Sequence, residues 1–228
     1  MSGYIFPPAT PPALPVKGEA LTIPVRRVYC IGRNYADHAV EMGHDPSREA
    51  PFFFQKNPDS LDPSGEFPYP AQSEDVHHEV ELAAVLGKGG QDIPEADALA
   101  HVWGFAVALD MTCRDLQAAQ KKAGRPWEIG KAFERSAPVG LVHPAAEIGP
   151  MAEGRITLSV NGETRQAGDL AQMIWKLPEI VSYLSRFFVL APGDVILTGT
   201  PAGVGPVAKG DVMQAEIAGL TPLTCRVI

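Results

Sequence analysis

Glycine and proline interrupt this chain so often that long helices are excluded from most of it. The 228 residues include 22 glycines and 22 prolines, two residue types that break helices and favour tight turns. Their joint share of about 19% stays below the roughly 25–30% of unstructured low-complexity chains. Hydrophobic residues make up 45% of the chain, enough for a core. The pattern predicts a globular α+β fold in which many short strands form a rolled or sandwiched sheet, with a few short helices.

The prolines are densest at the N-terminus, and this divides the chain into two parts. Residues 1–24 carry six prolines and are predicted to form an extended arm or a short edge strand, because proline cannot donate to a sheet ladder. Residues 25–228 are predicted to form one domain. Its apolar runs predict strands at 25–31, 51–56, 77–86, 102–109 and 156–160.

Capping signals predict three helices and one hairpin. Asn34 and Gly43 are expected to cap a helix over 34–42, and the sequence from Thr112 to Asp115 fits a capping box for a helix over 112–123. Gly124 follows that helix. The amphipathic pattern with Ile180, Val181, Leu184, Phe187 and Phe188 on one stripe predicts a third helix that begins at Pro178. Asn161-Gly162 after an alternating run is a strong hairpin signal.

Charge and composition exclude several classes of partner. The net charge is −8, and no basic run suggests nucleic-acid binding. The longest uncharged apolar run, 102–109, is too short to span a bilayer, and the N-terminus lacks the features of a secretory signal. Three scattered cysteines give neither a disulfide framework nor a zinc pattern. We expect a cytoplasmic protein with no nucleic-acid and no membrane partner.

Three carboxylates suggest a metal site. Glu79 and Glu81 share one face of a strand because side chains alternate, and Asp110 follows an apolar strand. Such a group suits Mg²⁺ or Mn²⁺. The alternative, that the two glutamates simply face solvent, is open on spacing alone.

Histidines and a lysine offer further chemistry. His38 and Glu41 lie on adjacent turns of one helix face, as a general base and its orienting carboxylate require, although a solvated surface pair has the same spacing. His77 falls on the face of the glutamates, while His78 falls on the apolar side and is expected in the core. Lys131, flanked by apolar residues, is either an oxyanion stabiliser or a surface lysine.

The glycine-rich segment 198–206 could bring backbone amides to a ligand or form structural turns. It lacks the Gly-Lys-Ser/Thr of a phosphate-binding loop and the following helix of a dinucleotide fingerprint. A nucleophile elbow is absent from the sequence.

Taken together, six motifs resemble the fumarylacetoacetate hydrolase family, in its small acylpyruvate-hydrolase branch. They are GRNYADH at 32–38, HEVE at 78–81, LDMTCRDLQ at 109–117, IGKAF at 129–133, MI at 173–174 and GDVILTGTPAGVG at 193–205. The stretch 124–131 is most similar to fumarylpyruvate hydrolases of the gentisate pathway of aromatic catabolism. The resemblance implies a mixed β-roll or β-sandwich fold over residues 25–228, and a homodimer.

The resemblance also implies roles for named residues. Glu79, Glu81 and Asp110 would bind one Mg²⁺ or Mn²⁺ ion per subunit, and His38 and Glu41 would activate water on a mobile lid helix, with Lys131 beside the substrate. The residues expected to bind substrate are Arg33, Lys56, Arg114, Gln117, Arg125 and Thr200. Arg125 or Lys122 is the expected cation for a distal carboxylate.

The implied reaction is hydrolysis of the carbon–carbon bond of a 2,4-diketo acid, with fumarylpyruvate giving fumarate and pyruvate. Oxaloacetate decarboxylation or isomerisation of a dienedioate on the same scaffold is the first alternative. A non-catalytic metal-binding protein is the alternative from another class. A metal-dependent phosphohydrolase would want more His or Asp ligands and a cluster of cations, which the sequence does not offer.

Overall fold

The structure, a computed structural model, describes residues 3–41 and 49–228. That part of the chain contains short strands, five α-helices and three short 3₁₀ turns. The α-helices are α1 (Ala36–Glu41), α2 (Arg114–Ala123), α3 (Glu128–Lys131), α4 (Ala145–Ile148) and α5 (Leu177–Ser185). The strands are β1 (Ala13–Pro15), β2 (Thr22–Pro24), β3 (Arg27–Gly32), β4 (Phe52–Lys56), β5 (Leu61–Asp62), β6 (Glu66–Phe67), β7 (Val76–His78), β8 (Val80–Leu86), β9 (Val102–Leu109), β10 (Thr112–Cys113), β11 (Ala137–Pro138), β12 (His143–Pro144), β13 (Arg155–Val160), β14 (Glu163–Asp169), β15 (Asp194–Leu197), β16 (Gly205–Pro206), β17 (Val212–Ile217) and β18 (Leu223–Val227).

Two large mixed sheets organise these strands. The six-stranded sheet has the order β12-β9-β8-β15-β3-β4, with β15 parallel to β3 and the other pairs antiparallel. The five-stranded sheet has the order β14-β13-β17-β18-β6, with only the β18–β6 pair parallel. A small sheet of order β10-β7-β16 lies beside the carboxylates. The α+β prediction, with a mixed rolled or sandwiched sheet and few short helices, is confirmed.

The six-stranded sheet is buried on both faces, which explains its nearly continuous apolar strands. On one face, Leu82 and Val107 belong to a core that includes the five-stranded sheet and α5. On the other face, Ala83 and Ala106 pack in a second core with Leu14 of β1. Because Glu81 shares its strand face with Ala83, its carboxylate points to the end of this second core.

The N-terminal segment is partly built into the fold. β1 and β2 pair antiparallel, the backbone N–H of Lys17 donates to Val142 O at 2.9 Å, and Leu14 is fully buried. The division between an arm at 1–24 and a domain at 25–228 stays a prediction.

Both predicted N-caps are wrong, because each polar side chain has a tertiary partner instead. Thr112 lies in β10 before α2 begins, and its hydroxyl contacts Glu79 Oε1 and Asp110 O at 3.2 Å. Asn34 accepts from the backbone N–H of Trp175 and donates to Thr198 O at 2.8 Å, and α1 begins two residues later. The predicted C-cap Gly43 lies outside the described residues.

The other local signals hold. Gly124 follows α2 with φ +63°, and its N–H donates to Lys121 O and Gln120 O. Asn161 and Gly162 both have positive φ, 52° and 83°, as a two-residue turn between β13 and β14 requires. Helix α5 buries Ile180, Val181 and Leu184 as predicted, but it ends at Ser185, so Phe187 is exposed.

Candidate active site

The three predicted carboxylates meet in one buried cluster. Glu79 lies at the break between β7 and β8, and its carbonyl accepts from the backbone N–H of Asp110 at 2.8 Å. Glu79, Glu81 and Asp110 are 5%, 2% and 1% exposed, and one carboxylate oxygen of each lies within 4.8 Å of the others. The alternative that the two glutamates face solvent is therefore wrong.

Cations surround two of the three carboxylates. Lys131 Nζ lies 2.9 Å from Glu79 Oε2 and 2.8 Å from Asp110 Oδ2. Lys56 Nζ lies 2.9 Å from Asp110 Oδ1, and Arg114 Nη2 lies 2.6 Å from Glu79 Oε1. Burial alone would raise the pKa of Glu79, but Lys131 and Arg114 hold it well below its usual range.

Glu81 has a different environment. Burial, and the charges of Asp110 and Glu79, hold the pKa of Glu81 well above its usual range. Its hydrogen bond comes from the backbone N–H of Gly199, 2.7 Å from Oε2. Three buried carboxylates, one of them short of positive charge, are the donor set of a hard divalent cation. The residues present therefore fit Mg²⁺ or Mn²⁺.

The two lysines differ in what they contact. Lys131 is buried and lines the cavity that opens above the carboxylates. Burial lowers its pKa, but the charges of Asp110 and Glu79 override this and raise the pKa above the usual value. Lys56, expected to contact substrate, is not among the lining residues. Its ammonium donates to Ser136 Oγ at 2.9 Å and to Lys131 O, so it lies behind Asp110 and holds the segment that carries Lys131.

The predicted acid–base pair lies beside this cluster. His38 is buried and lines the same cavity. Its Nδ1 atom is 3.1 Å from Glu41 Oε2, on the inner face of α1. The other oxygen of Glu41 accepts from the backbone N–H of Gly203 at 3.1 Å. The glycine-rich segment thus contacts the end of α1.

The remaining wall of the cavity combines cations with aromatic rings. Arg33 lies with its guanidinium 5.7 Å from the Phe52 ring centre, and Lys121 Nζ lies 5.7 Å from the Trp127 ring centre. The two rings are themselves 5.0 Å apart. Burial, with the charges of Arg33 and Arg114, lowers the pKa of Lys121. The three cations therefore face the same region of the cavity.

Most predicted substrate residues line this cavity. They are Arg33, Arg114, Gln117 and Thr200. Arg114 Nη1 donates to Gln117 Oε1 at 2.8 Å, which fixes the two side chains one turn apart on α2. Arg125 and Lys122 are exposed and do not line the cavity. Lys121, which faces it, was not predicted.

Sequence reasoning also missed Gln166. This fully buried residue of β14 donates from Nε2 to Thr200 Oγ1 at 2.8 Å and lies 3.0 Å from His78 Nδ1. His78 is buried as predicted. No sequence signal marks Gln166, because its neighbours Arg165 and Ala167 are exposed and the segment looks like an ordinary polar edge strand.

Comparison with known proteins decides the family. Residues 27–228 match the model described as fumarylacetoacetate (FAA) hydrolase C-terminal. The chain belongs to the fumarylacetoacetate hydrolase family. A crystal structure of fumarylpyruvate hydrolase from Pseudomonas aeruginosa in complex with Mn²⁺ and pyruvate has a TM-score of 0.96 to this fold at 54% identity, covering 99% of both chains. A putative fumarylpyruvate hydrolase from Burkholderia cenocepacia has a TM-score of 0.92 at 48% identity, covering 99% of this chain and 98% of that one.

Other members of the family carry a different name. The mitochondrial oxaloacetate tautomerase FAHD1 of Homo sapiens is 43% identical over 203 residues, 89% of this chain and 91% of its own length. Oxaloacetate tautomerase YcgM of Escherichia coli is 43% identical over 213 residues, 93% and 97% of the two chains. The family of this chain therefore includes enzymes of more than one activity. In the part of the chain that the structure describes, no helix is long and apolar enough to cross a membrane.

Proposed function

We propose that the protein is a metal-dependent hydrolase that cleaves the carbon–carbon bond of a 2,4-diketo acid, with fumarylpyruvate giving fumarate and pyruvate. One observation carries the proposal: His38, which contacts Glu41, lines the same cavity as the three-carboxylate cluster. A reaction that adds water across a carbon–carbon bond needs both a base and a stabilised leaving carbanion. The 54% identity to a fumarylpyruvate hydrolase in complex with Mn²⁺ and pyruvate supports this substrate.

Glu79, Glu81 and Asp110 would hold one Mg²⁺ or Mn²⁺ ion per subunit. When bound, such an ion polarises carbonyl oxygens and stabilises developing enolate charge. Lys131 contacts Glu79 and Asp110, and Lys56 contacts Asp110, so the two lysines keep these carboxylates in place and limit their mutual repulsion.

His38 supplies the base. Glu41 contacts Nδ1 and so keeps the proton on that atom, which leaves Nε2 to accept a proton from water. The resulting hydroxide adds to the distal carbonyl. The bond between that carbon and C3 then breaks, and its electron pair passes to the enolate of pyruvate. Proton return at C3 gives pyruvate, and the acyl part leaves as a carboxylic acid.

Lys131 stabilises the enolate. Its raised pKa keeps the ammonium charged at neutral pH, and its buried position makes that charge more effective than it would be in water. Arg114 and Gln117 would bind the proximal carboxylate and 2-oxo group, since they project from α2 toward the cluster.

Arg33 and Lys121 are proposed to bind the distal carboxylate of fumarylpyruvate. Both line the cavity with the rings of Phe52 and Trp127, against which a flat, conjugated fumaryl group could pack. This assignment replaces Arg125 and Lys122, whose side chains lie outside the cavity.

A product assay tests the proposal. Purified protein is incubated with fumarylpyruvate, acetylpyruvate or oxaloacetate, each with Mg²⁺, with Mn²⁺ and with EDTA, and the products are separated by chromatography. We expect equal amounts of fumarate and pyruvate from fumarylpyruvate, and no turnover in EDTA. Full turnover in EDTA would contradict the metal, and intact fumarylpyruvate would contradict the hydrolase.

A second candidate is oxaloacetate tautomerase, because relatives at 43% identity carry that name. Tautomerisation moves one proton between carbon and oxygen and adds no water. It would be recognised in the same assay by a faster loss of the enol absorbance of oxaloacetate with no new product. Loss of CO₂ from oxaloacetate would indicate the decarboxylase. A shifted double bond in a dienedioate would indicate the isomerase. Inertness toward every substrate would indicate the non-catalytic metal-binding protein.

A homodimer in the cytoplasm remains the expected state. Light scattering after size-exclusion chromatography measures the first expectation, and fractionation of the source cells measures the second.

A further inference from the structure

Gln166 connects the two large sheets at the edge of the cavity. Its side chain extends from β14 of the five-stranded sheet, and its amide contacts both the strands beside Glu79 and the glycine-rich segment. Oε1 accepts from the backbone N–H of Val80 at 3.1 Å and lies 3.0 Å from His78 Nδ1. Nε2 donates to Pro201 O and to Thr200 Oγ1, both at 2.8 Å. All four hydrogen-bonding sites of the amide are therefore used.

Two backbone groups fix the orientation of this amide. The N–H of Val80 can only donate, so the atom facing it is the oxygen of Gln166. The carbonyl of Pro201 can only accept, so the atom facing it is the nitrogen. In a flipped amide, the nitrogen would face the N–H of Val80 and the oxygen would face the carbonyl of Pro201. Neither pair could form a hydrogen bond, and unmade hydrogen bonds are costly in a fully buried place.

The fixed amide sets the direction of the Thr200 hydroxyl. A hydroxyl has one hydrogen, and here its oxygen already accepts from Gln166 Nε2. Its hydrogen must therefore point away from Gln166. Thr200 is 2% exposed and lines the cavity, so a ligand oxygen is the acceptor that this arrangement serves.

We propose that Gln166 is a positioning residue, which forces Thr200 to donate its hydrogen to an oxygen of the bound 2-oxo acid. The proposal rests on the proposed function only for the class of ligand. Without the amide of Gln166, nothing would hold the oxygen of this hydroxyl, so it could rotate and present a lone pair to an anionic ligand.

A set of variants tests this through binding rather than turnover. The probe is oxalate, a planar dianion shaped like the pyruvate enolate, added in the presence of Mn²⁺ and measured by calorimetry. Gln166→Met removes the amide at nearly constant length. Gln166→Met is made in three backgrounds. They are the wild type, Thr200→Ser, which keeps the hydroxyl, and Thr200→Val, which lacks it. Gln214→Met, on the exposed face of β17, is the matched control.

We expect the effect of Gln166→Met on oxalate affinity to depend on the hydroxyl of residue 200. Gln166→Met should weaken oxalate binding about 10-fold in the wild type and in Thr200→Ser, the size of a lost hydrogen bond to a charged group. In Thr200→Val it should change binding by less than about twofold, because coupled residues are not additive. Gln214→Met should leave the affinity unchanged.

Three results would overturn the proposal. The first is an equal loss of oxalate affinity in all three backgrounds, which would mean that Gln166 only shapes the loop. The second is no loss of affinity when Gln166→Met is made in the wild type. The third is a wild type that does not bind oxalate. Should Gln166→Met fail to fold, Gln166→Glu in the same three backgrounds applies the same criterion, since its carboxylate can reverse the hydrogen bond with Thr200.

The test separates this proposal from the proposed function. If no 2,4-diketo acid is cleaved but the hydroxyl-dependent pattern appears, the hydrolase is wrong and the positioning role stands. If fumarylpyruvate is cleaved and the pattern is absent, the hydrolase stands and the positioning role of Gln166 is wrong.

Discussion

Glu41 Oε2 lies 3.1 Å from His38 Nδ1 on one face of α1. The other oxygen of the same carboxylate accepts from the backbone N–H of Gly203. The orientation of the imidazole is therefore tied to the glycine-rich segment that also carries Thr200. With α1 in this position, the proposed base His38 and Thr200 line the same cavity, as the lid helix implied by the family resemblance would require.

Removing either member of the pair should lower turnover without removing the metal site. His38→Gln should lower kcat on the acylpyruvate roughly 10²–10⁴-fold, the usual contribution of a general base. Glu41→Gln should have a smaller effect, because the base remains while its tautomer is no longer fixed. The measurement is steady-state kinetics, with Mn²⁺ binding followed by electron paramagnetic resonance.

Asp37→Asn is the matched control, since it exchanges an exposed carboxylate for an amide on the same helix. Turnover that survives in His38→Gln would show that another group takes the proton. Loss of Mn²⁺ binding in that variant would show that His38 acts on the metal site.

Glu81→Gln should have opposite effects on stability without and with metal. The pKa of Glu81 is raised by burial and by Asp110 and Glu79, so the metal-free protein is destabilised above the ordinary pKa of a glutamate. The amide keeps an acceptor for the N–H of Gly199 and removes the charge. Without metal, the free energy of unfolding of Glu81→Gln should therefore be higher than that of the wild type at neutral pH.

With saturating Mn²⁺ the order should reverse. The wild type should gain about 2.7 kcal/mol at a metal concentration 100 times the dissociation constant, whereas Glu81→Gln should gain little. Thermal unfolding in EDTA and in Mn²⁺ measures both effects. Equal stabilisation of the two proteins by Mn²⁺ would remove Glu81 from the ligand set.

Strand alternation is enough to place Glu79 and Glu81 on one face, because a period of two residues fixes the direction of every side chain. It cannot show whether that face is buried, since an exposed sheet and a closed site have the same pattern. Here the glutamates are buried, and their neighbours include Asp110 and Lys131, which lie far along the chain. The family resemblance, and not the spacing, supplied that connection.

Lys121 and Thr112 show what could not be predicted from the sequence. Lys121 and Lys122 are adjacent and chemically identical, and only the rotation of α2, anchored through Arg114 on Glu79, decides which faces the cavity. Thr112 has the spacing of an N-cap, but a buried carboxylate takes its hydroxyl. Tertiary partners of this kind are invisible to a local pattern.

Lys121→Met should affect dicarboxylate substrates selectively. The variant should raise KM for fumarylpyruvate about 10-fold or more, the range of a hydrogen bond to a charged group, while KM for acetylpyruvate, which lacks the distal carboxylate, stays within about twofold. Arg33→Met should act in the same direction. Lys122→Met is the control, one residue away and outside the cavity. An equal rise of KM for both substrates would mean that Lys121 does not read the distal group.

The N-terminal segment should contribute to stability through Leu14. This side chain is fully buried in the second core, whereas Leu21 of the same segment is 78% exposed. Leu14→Ala should lower the free energy of unfolding by about 2–5 kcal/mol, the usual range for a buried leucine, and Leu21→Ala should change it by less than about 0.5 kcal/mol. Urea unfolding of the two variants measures the difference. Equal effects would make 1–24 a separate arm, as the proline content predicts.

Asp62 should make stability depend on pH at the junction of β5 and β11. Its partial burial would raise its pKa, but the hydrogen bonds from Arg135 and Ser64 are stronger and lower it. The unfolded chain therefore takes up the proton first as the pH falls, so the ionised carboxylate stabilises the fold above the unfolded pKa of about 3.9, and this contribution is lost as the pH falls through the lower folded value. Asp62→Asn should accordingly lower the free energy of unfolding at about pH 7, and the difference from the wild type should shrink steadily below about pH 4. Urea unfolding across that range measures it, with Asp59→Asn, an exposed carboxylate three residues earlier, as the control. A difference that stays constant with pH would mean that the asparagine disturbs packing and that the charge of Asp62 contributes nothing.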